Sequence, residues 1–494
     1  MRWTTTDVSR RSLVLGSLGV LAAGALSSCD SEPGPVASRL IGPDAKEVRT
    51  AERLRRTSPQ RVVARRITAR PSAVDLGGRT VRTWTYDDAL PGPELRTRAG
   101  DLLQVEVAND LPTETSVHWH GLALRNDMDG VPGLTQDPIV AGSRFVYEFT
   151  TADPGTYFFH PHTGVQLDRG LYGVLVVEDP AEPGGYDQEW VVVLDDWIDD
   201  TDRSPDDVYA DLVSTPGMGH GGMMGAGMQS PLLGGAGDVD YPLHLINGRT
   251  ARAPATLTGR PGQRARIRIV NAGSDTAFRV ALGGHRMTVT HSDGFPVRPV
   301  ATDALLIGMG ERYDVIVDLA DGAFPLVARA EGKAGAGMAV VRTGAGAAPS
   351  PGATLRELDR QVLLGTDLTA ADSARLGSRD IDRDLDVVLG GGMMAYRWTI
   401  NGAAYPDIDA LAVAPGERVR LRLRNASMMF HPVHLHGHTF ALAQGGTRKD
   451  TVVVRPRQSV EVDLQADNPG QWALHCHNAY HAEAGMMTVL SYRR

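Results

Sequence analysis

The chain predicts an all-β protein of three consecutive β-sandwich domains, on three observations. Gly and Pro are abundant, 56 and 30 of 494 residues, and separate many short Val-rich runs, the composition of strands joined by turns. A Gly turn, a strand of alternating apolar residues and an Asn occur together three times. Ala99-Gly100 leads through Leu103, Val105 and Val107 to Asn109; Pro261-Gly262 through Ala265, Ile267 and Ile269 to Asn271; Pro415-Gly416 through Val419, Leu421 and Leu423 to Asn425. A second motif repeats between the first and third copies: Pro154-Gly155-Thr156-Tyr157-Phe158-Phe159-His160-Pro161-His162 against Pro469-Gly470-Gln471-Trp472-Ala473-Leu474-His475-Cys476-His477. Internal repetition outranks local propensity as a guide to fold. Domains are expected at 61–181, 182–350 and 351–494, a division the length readily supports.

Taken in order, the chain opens on an address. Ser9-Arg10-Arg11-Ser12-Leu13-Val14 begins an apolar segment running to Leu26, which reads as a twin-arginine export signal. Leu26-Ser27-Ser28-Cys29 resembles a lipoprotein cleavage site, so Cys29 is expected to carry lipid at the outer face of the cytoplasmic membrane. Cleavage at an ordinary small-residue site, with Cys29 incidental and the protein periplasmic or secreted, is the alternative. Residues 30–60 are polar and Arg-rich and predict a flexible tether. No apolar run beyond residue 30 is long enough to span a bilayer. A net charge of -9 with scattered Arg excludes nucleic acid as a partner. The chain has two Cys, and with Cys29 lipidated Cys476 is alone, unable to form an internal disulfide. Metal binding removes the liability of such a thiol in an exported protein.

The repeats extend to metal-ligating residues. Nine residues after Asn109 stands His118-Trp119-His120-Gly121, and nine after Asn425 stands His434-Leu435-His436-Gly437. At the same offset from Asn271 the middle copy has Val280-Ala281-Leu282-Gly283, so it is expected to hold no metal. Two His at i and i+2 face one side of a strand. His118/His120, His160/His162, His434/His436 and His475/His477 therefore make four such pairs, all in the outer copies. Converging, they supply eight imidazoles, more than one zinc needs and enough for a three-copper cluster. Cys476, His481 and Met486, with His431 from three residues before His434, form the Cys, two-His, weak axial Met set of a blue-copper site. Cys476 points opposite to His475 and His477, so it joins this site to the cluster through its own backbone.

These motifs resemble the copper signatures of the multicopper oxidases, the laccase and copper-efflux oxidase superfamily, in its three-domain form. Pro91-Gly92-Pro93, the Gln166/Gly170/Tyr172-Gly173 run and Lys449-Asp450-Thr451 agree with it, and the match covers nearly the whole mature chain. With the lipoprotein signal, the resemblance is nearest to the copper-resistance oxidases of mycobacteria and related actinobacteria. It implies cupredoxin-like Greek-key domains and four coppers: one type 1, one type 2 and two type 3. It also implies that His118 and His434 hold the type 2 ion, His120, His160 and His477 one type 3 ion, and His162, His436 and His475 the other. Four one-electron oxidations at the blue copper would pass through Cys476 to the cluster, where dioxygen becomes water. Asp129 matches an acid near the cluster in relatives and is expected to supply protons. Glu483 stands one residue beyond the position of a second such acid, where this chain has Ala482.

Three functions compete. Oxidation of Cu(I) to Cu(II) in copper resistance is favoured by Met428-Met429 ahead of His431, because thioethers prefer Cu(I). Met429 matches a substrate-copper ligand of copper-efflux oxidases, although the acid two residues before it is Ser427 here. A Gly-rich stretch at 217–228 adds Met218, Met223, Met224 and Met228, either as transient ligands for soft ions or as incidental residues of a plain loop. Laccase-like oxidation of phenols and aromatic amines is the second function. A copper-free scaffold is the third, which complete ligand sets disfavour. Both outer copies lie in one chain, so a monomer can assemble the cluster.

Overall fold

The structure, a computed structural model, describes residues 40–182, 184–214, 230–392 and 395–494. Six sheets form three sandwiches. In the first, strands Thr80–Tyr86, Val62–Asp75, Leu102–Asn109 and Arg144–Thr150 make one sheet. Leu95–Arg98, Gly173–Glu178, Gly155–His160 and His118–His120 make the other. Apolar residues from both, among them Ile67, Val105, Tyr147, Trp119, Phe159 and Leu175, interdigitate in one core. The middle sandwich joins a seven-stranded to a six-stranded sheet, and the third a six-stranded to a five-stranded one, each around its own core.

The repeated Asn residues have one physical job. Asn109 Nδ2 donates to the Thr113 and Ile139 carbonyls at 2.9 and 2.7 Å while its Oδ1 accepts from Leu111 N at 3.0 Å. Asn271 makes the same three bonds with Thr276, Ile307 and Gly273. Asn425 makes them with Met429, Val454 and Ser427. Each amide pins the turn that carries the chain from one sheet towards the next strand, satisfying buried backbone groups that no ladder reaches. The distance from Asn to the following His pair is thereby held equal in the outer domains.

Two expectations need correction. The stretch 40–60, expected as a tether, carries a ten-residue helix, α1 (Lys46–Arg55). Ile41 and Val48 are 1% exposed in the core of the third domain, and Glu52 accepts hydrogen bonds from Thr150 N and Oγ1 at 3.0 and 2.7 Å. The charged composition hid this because the inward face needs only a few residues. The second boundary also moves: Val362–Leu363 pairs in parallel with Ala304–Ile307, and Leu358 and Leu363 pack in middle-domain clusters. The strands of the third sandwich begin at Arg383. The export signal, Cys29 and the Met residues of 217–228 lie outside the described residues.

Candidate metal centre

Strand register brings the His pairs together. His118 lies opposite His160, and His434 opposite His475, with Cys476 opposite Val433. Six of the eight imidazoles are fixed by a hydrogen bond from one ring nitrogen. His118 Nδ1 donates to the Asp129 carbonyl at 2.8 Å, His434 Nδ1 to that of Asp450 at 3.0 Å, and His160 and His475 to Pro161 and Cys476 at 2.9 Å. His436 Nδ1 reaches Asp129 Oδ2 at 2.9 Å, and His120 is turned the other way, its Nε2 lying 3.1 Å from Asp450 Oδ1. Such partners fix ring orientation and tautomer.

The remaining nitrogens converge. His118 and His434 approach Nε2 to Nε2 at 3.4 Å, and so do His160 and His477. His475 Nε2 lies 2.9 Å from that of His436 and 3.4 Å from that of His162. Potential ligand atoms of His118, His120 and His160, and those of His162, His436 and His475, lie within 4.8 Å of one another. Burial, followed by the neighbouring imidazoles, holds His120, His160, His162, His436 and His477 well below the usual histidine range, and brings His475 down to about 3. The rings are neutral and present lone pairs. The buried Nδ1 atoms of His120 and His477 have no protein partner. Neutral nitrogens gathered at this density, two of them orphaned, fit bound metal.

A second group sits beside the first. Cys476 Sγ lies 3.5 Å from His431 Nδ1 and from His481 Nδ1, which are 3.2 Å apart. Their outer edges are held too, His431 Nε2 by Ser427 Oγ and His481 Nε2 by Asp238 Oδ2, both at 2.8 Å. A short helix, Ala479–Glu483, places His481 just after Cys476, its N-terminus capped by Asn478, whose side chain accepts from Tyr480 N and His481 N. Met486 is fully buried in the same core, and its backbone bonds to both His481 and Cys476. Trp398 packs on His481 with ring centroids 4.1 Å apart. Cys476 therefore faces one group while its chain neighbours His475 and His477 aim at the other.

Three family models described as multicopper oxidase match residues 68–182, 188–346 and 381–494. The chain is a multicopper oxidase. It is 49% identical over 487 residues to the multicopper oxidase MmcO of Mycobacterium tuberculosis, covering 96% of this chain and 95% of that protein. It is 31% identical to a copper resistance protein A homolog of Pseudomonas syringae pv. tomato, covering 85% and 90%. Among solved structures, a multi-copper oxidase from Pseudomonas thermotolerans superposes with a TM-score of 0.68 at 27% identity, covering 88% of this chain and all of that one. As in this family, the protein uses four coppers of types 1, 2 and 3 to couple one-electron oxidations to dioxygen reduction.

The middle domain of this oxidase supplies groups that its lack of ligands did not suggest. Arg312 is fully buried and forks onto Asp450, Nη1 to Oδ1 and Nη2 to Oδ2, both at 2.6 Å. Burial alone would raise the Asp450 carboxyl, and the guanidinium brings it below the usual carboxylate range. Gly310 (φ 81°) lies against the cluster, where a Cβ would stand 2.9 Å from His477 Cγ and 3.0 Å from His120 Cε1. Asp238, on His481, comes from the same domain and also accepts from the Tyr396 hydroxyl at 2.8 Å. Asp129, the expected proton donor, is fully buried between ligands of both outer domains, with Oδ1 lacking a hydrogen-bond partner. Glu483 lines a cavity of about 340 Å³ that also reaches His160, His162, His475 and His477. Burial, then Asp206, raises its carboxyl. Met429, expected to bind substrate copper, is 2% exposed with its sulfur under Gly235, whereas Met428 is 56% exposed. Burial thus makes Met428, not Met429, the accessible thioether.

Proposed function

We propose that this multicopper oxidase takes electrons from Cu(I), converting four Cu(I) to four Cu(II) while dioxygen and four protons become two waters. The observation that carries this reading is the Ser427-Met428-Met429 segment. Its hydroxyl holds His431 at 2.8 Å while the next residue exposes a soft thioether to solvent. The similarity to proteins named for copper resistance supports it. In this reading His431, Cys476, His481 and Met486 hold the type 1 ion and His118 with His434 the type 2 ion. His120, His160 and His477 hold one type 3 ion, and His162, His436 and His475 the other.

When bound, copper supplies the one-electron uptake and the reduction of dioxygen. The chain's own residues position and supply. Ser427 and Asp238 aim two imidazoles at the Cys476 sulfur, and Cys476 links that site to the cluster through the backbone of His475 and His477. Asp129 holds His118 through its carbonyl and His436 through Oδ2, and its Oδ1, 3.3 Å from His118 Nδ1 and without a hydrogen-bond partner, is the atom that can take up a proton and pass it on. Glu483 serves the cavity side. Kinetics with Cu(I) and with an aromatic diamine test the reading: Met428→Ala should raise KM for Cu(I) and leave the diamine unchanged. Equal effects on both substrates would refute a dedicated Cu(I) site.

A second reading, oxidation of phenols and aromatic amines, is favoured by Asp238, whose carboxylate at the outer edge of His481 could accept a substrate proton. The two activities are compatible because both deliver to the same ion. We further infer that a monomer is exported by the twin-arginine route and anchored through Cys29, which the intact mass of the mature protein would test.

A further inference from the structure

Residues 40–66, which overlap the segment expected to be an unstructured tether, are basic in an acidic protein. From Leu40 to Arg66 there are eight Lys and Arg (Lys46, Arg49, Arg53, Arg55, Arg56, Arg61, Arg65, Arg66) against three acids (Asp44, Glu47, Glu52), in a chain of net charge -9. The structure sorts these charges. Val48 and Glu52 turn inward, while Lys46, Arg49, Thr50, Arg53 and Leu54 are exposed at i, i+3, i+4, i+7 and i+8, one stripe of α1. Among the described residues Lys46, Arg49, Arg53 and Arg65 form no ion pair. Arg49 and Arg53 bond to the Asp44 carbonyl and the Thr50 hydroxyl, and Arg65 to the carbonyl of Ala64. Arg56, Arg61 and Arg66 face Glu52 and Glu148, Asp101 and Glu106. Leu54 ends the stripe and is 83% exposed, the highest value of any large apolar side chain described.

We propose that this face of α1 docks on a bilayer surface through anionic phospholipid headgroups, with Leu54 entering the interface. A basic stripe that ends in one exposed Leu offers an anionic membrane surface both charge attraction and a small apolar anchor. Placement supports it as well. If Cys29 is the lipidated residue, the chain from there to Leu40 spans at most about 40 Å, so α1 works close to the membrane. Charges act over about 8 Å at physiological salt, so the local stripe and not the net charge decides the attraction. Each Lys or Arg near an anionic leaflet contributes about 1 kcal/mol. The acidic remainder of the protein is repelled, which orients the oxidase with α1 down.

The proposal rests on the Cys29 reading only for proximity, so its test omits the lipid. Copper-loaded protein beginning at Asp30 would be sedimented with phosphatidylcholine vesicles, with and without phosphatidylglycerol, at low and high salt. We expect binding to the anionic vesicles, reversed by salt, and none to phosphatidylcholine. Reversing Lys46, Arg49 and Arg53 together to Glu should weaken binding about 100-fold or more. Reversing Arg252, Arg260 and Arg360, exposed on the middle domain, changes the net charge equally and should leave binding intact. Unchanged diamine oxidation in both variants would show that they fold. No binding by the parent protein, or equal loss in both triple variants, overturns the proposal. Absence of lipid on Cys29 would refute the anchoring and leave the vesicle result standing.

Discussion

Arg312 and Asp450 form a bidentate ion pair with no exposed atom, and the same Asp450 Oδ1 lies 3.1 Å from His120 Nε2. With Thr451 Oγ1, also 3.1 Å from that nitrogen, a residue of the domain without ligands thereby helps to fix which nitrogen His120 turns inward. Cutting this pair should act on copper and not on stability alone. Arg312→Met leaves a buried carboxylate uncompensated, at about 3–5 kcal/mol, and frees His120 to turn. We expect fewer than four coppers per chain by mass spectrometry, alongside a lower urea midpoint of the metal-free protein. Arg312→Lys keeps the charge but loses the fork, and should recover stability more fully than copper content. Arg268 pairs with Asp314 at 3.0 Å and with Glu189 at 2.8 Å and bonds to Thr156, with no ligand imidazole among these partners, so Arg268→Met should lose stability and keep four coppers. If both Met variants hold four coppers, Arg312 does not position His120.

Cys476 is the one thiol among the described residues, fully buried, with its thiol pushed up by burial. The thiolate that binds copper therefore has to be formed by the metal's displacement of a proton. Serine is nearly isosteric and a far poorer ligand. Cys476→Ser should abolish the intense blue absorption and all turnover, with copper content falling by one ion and the unfolding midpoint of the metal-free protein close to the parent's. Residual oxidase activity would overturn the route through residue 476.

Much of this was legible because the same residue does the same work three times. Asn109, Asn271 and Asn425 hold equivalent turns, so the repeat in sequence is a repeat in hydrogen bonding, and the His pairs follow at a common offset. Strand alternation was enough to send Cys476 one way and its neighbours the other. What escaped depends on packing between distant segments. Arg312 and Asp450 are 138 residues apart and meet only when two domains dock. Asp238 reaches His481 across 243 residues. The short strand Val362–Leu363 joins the middle sheet, a choice its own sequence does not encode. Helix α1 was missed because so few of its residues turn inward.

Met428 and Met429 separate chemistry from packing. Met429 lies in the core of the third domain, so Met429→Ala should cost about 2–5 kcal/mol and lower both activities only through loss of folded protein. Met428 is exposed, with its Sδ 3.4 Å from Arg457 Nη2. Met428→Ala should leave the unfolding midpoint unchanged and reduce Cu(I) oxidation selectively. The reverse pattern, with Met429→Ala selective and stable, would place the Cu(I) contact beneath the Gly235 segment instead.

Asp168, bonded to the tyrosine that adjoins His481, carries a pH signature of its own. Its Oδ2 accepts from the hydroxyls of Tyr480 and Tyr241 at 2.5 and 3.0 Å. Burial, then the charge of Asp196, pushes its carboxyl well above the usual range. A carboxyl that holds its proton more tightly when folded stabilises the fold fully below its unfolded value, about 3.9, and that contribution is lost as pH rises towards the folded value. Asparagine keeps an oxygen for both phenols and has no proton to lose. The unfolding midpoint of metal-free Asp168→Asn, relative to the parent, should therefore climb steadily as pH is raised from about 4. Parallel pH curves for the two proteins would mean that Asp168 titrates alike in the folded and unfolded chains, and that the tyrosine pair holds a carboxylate.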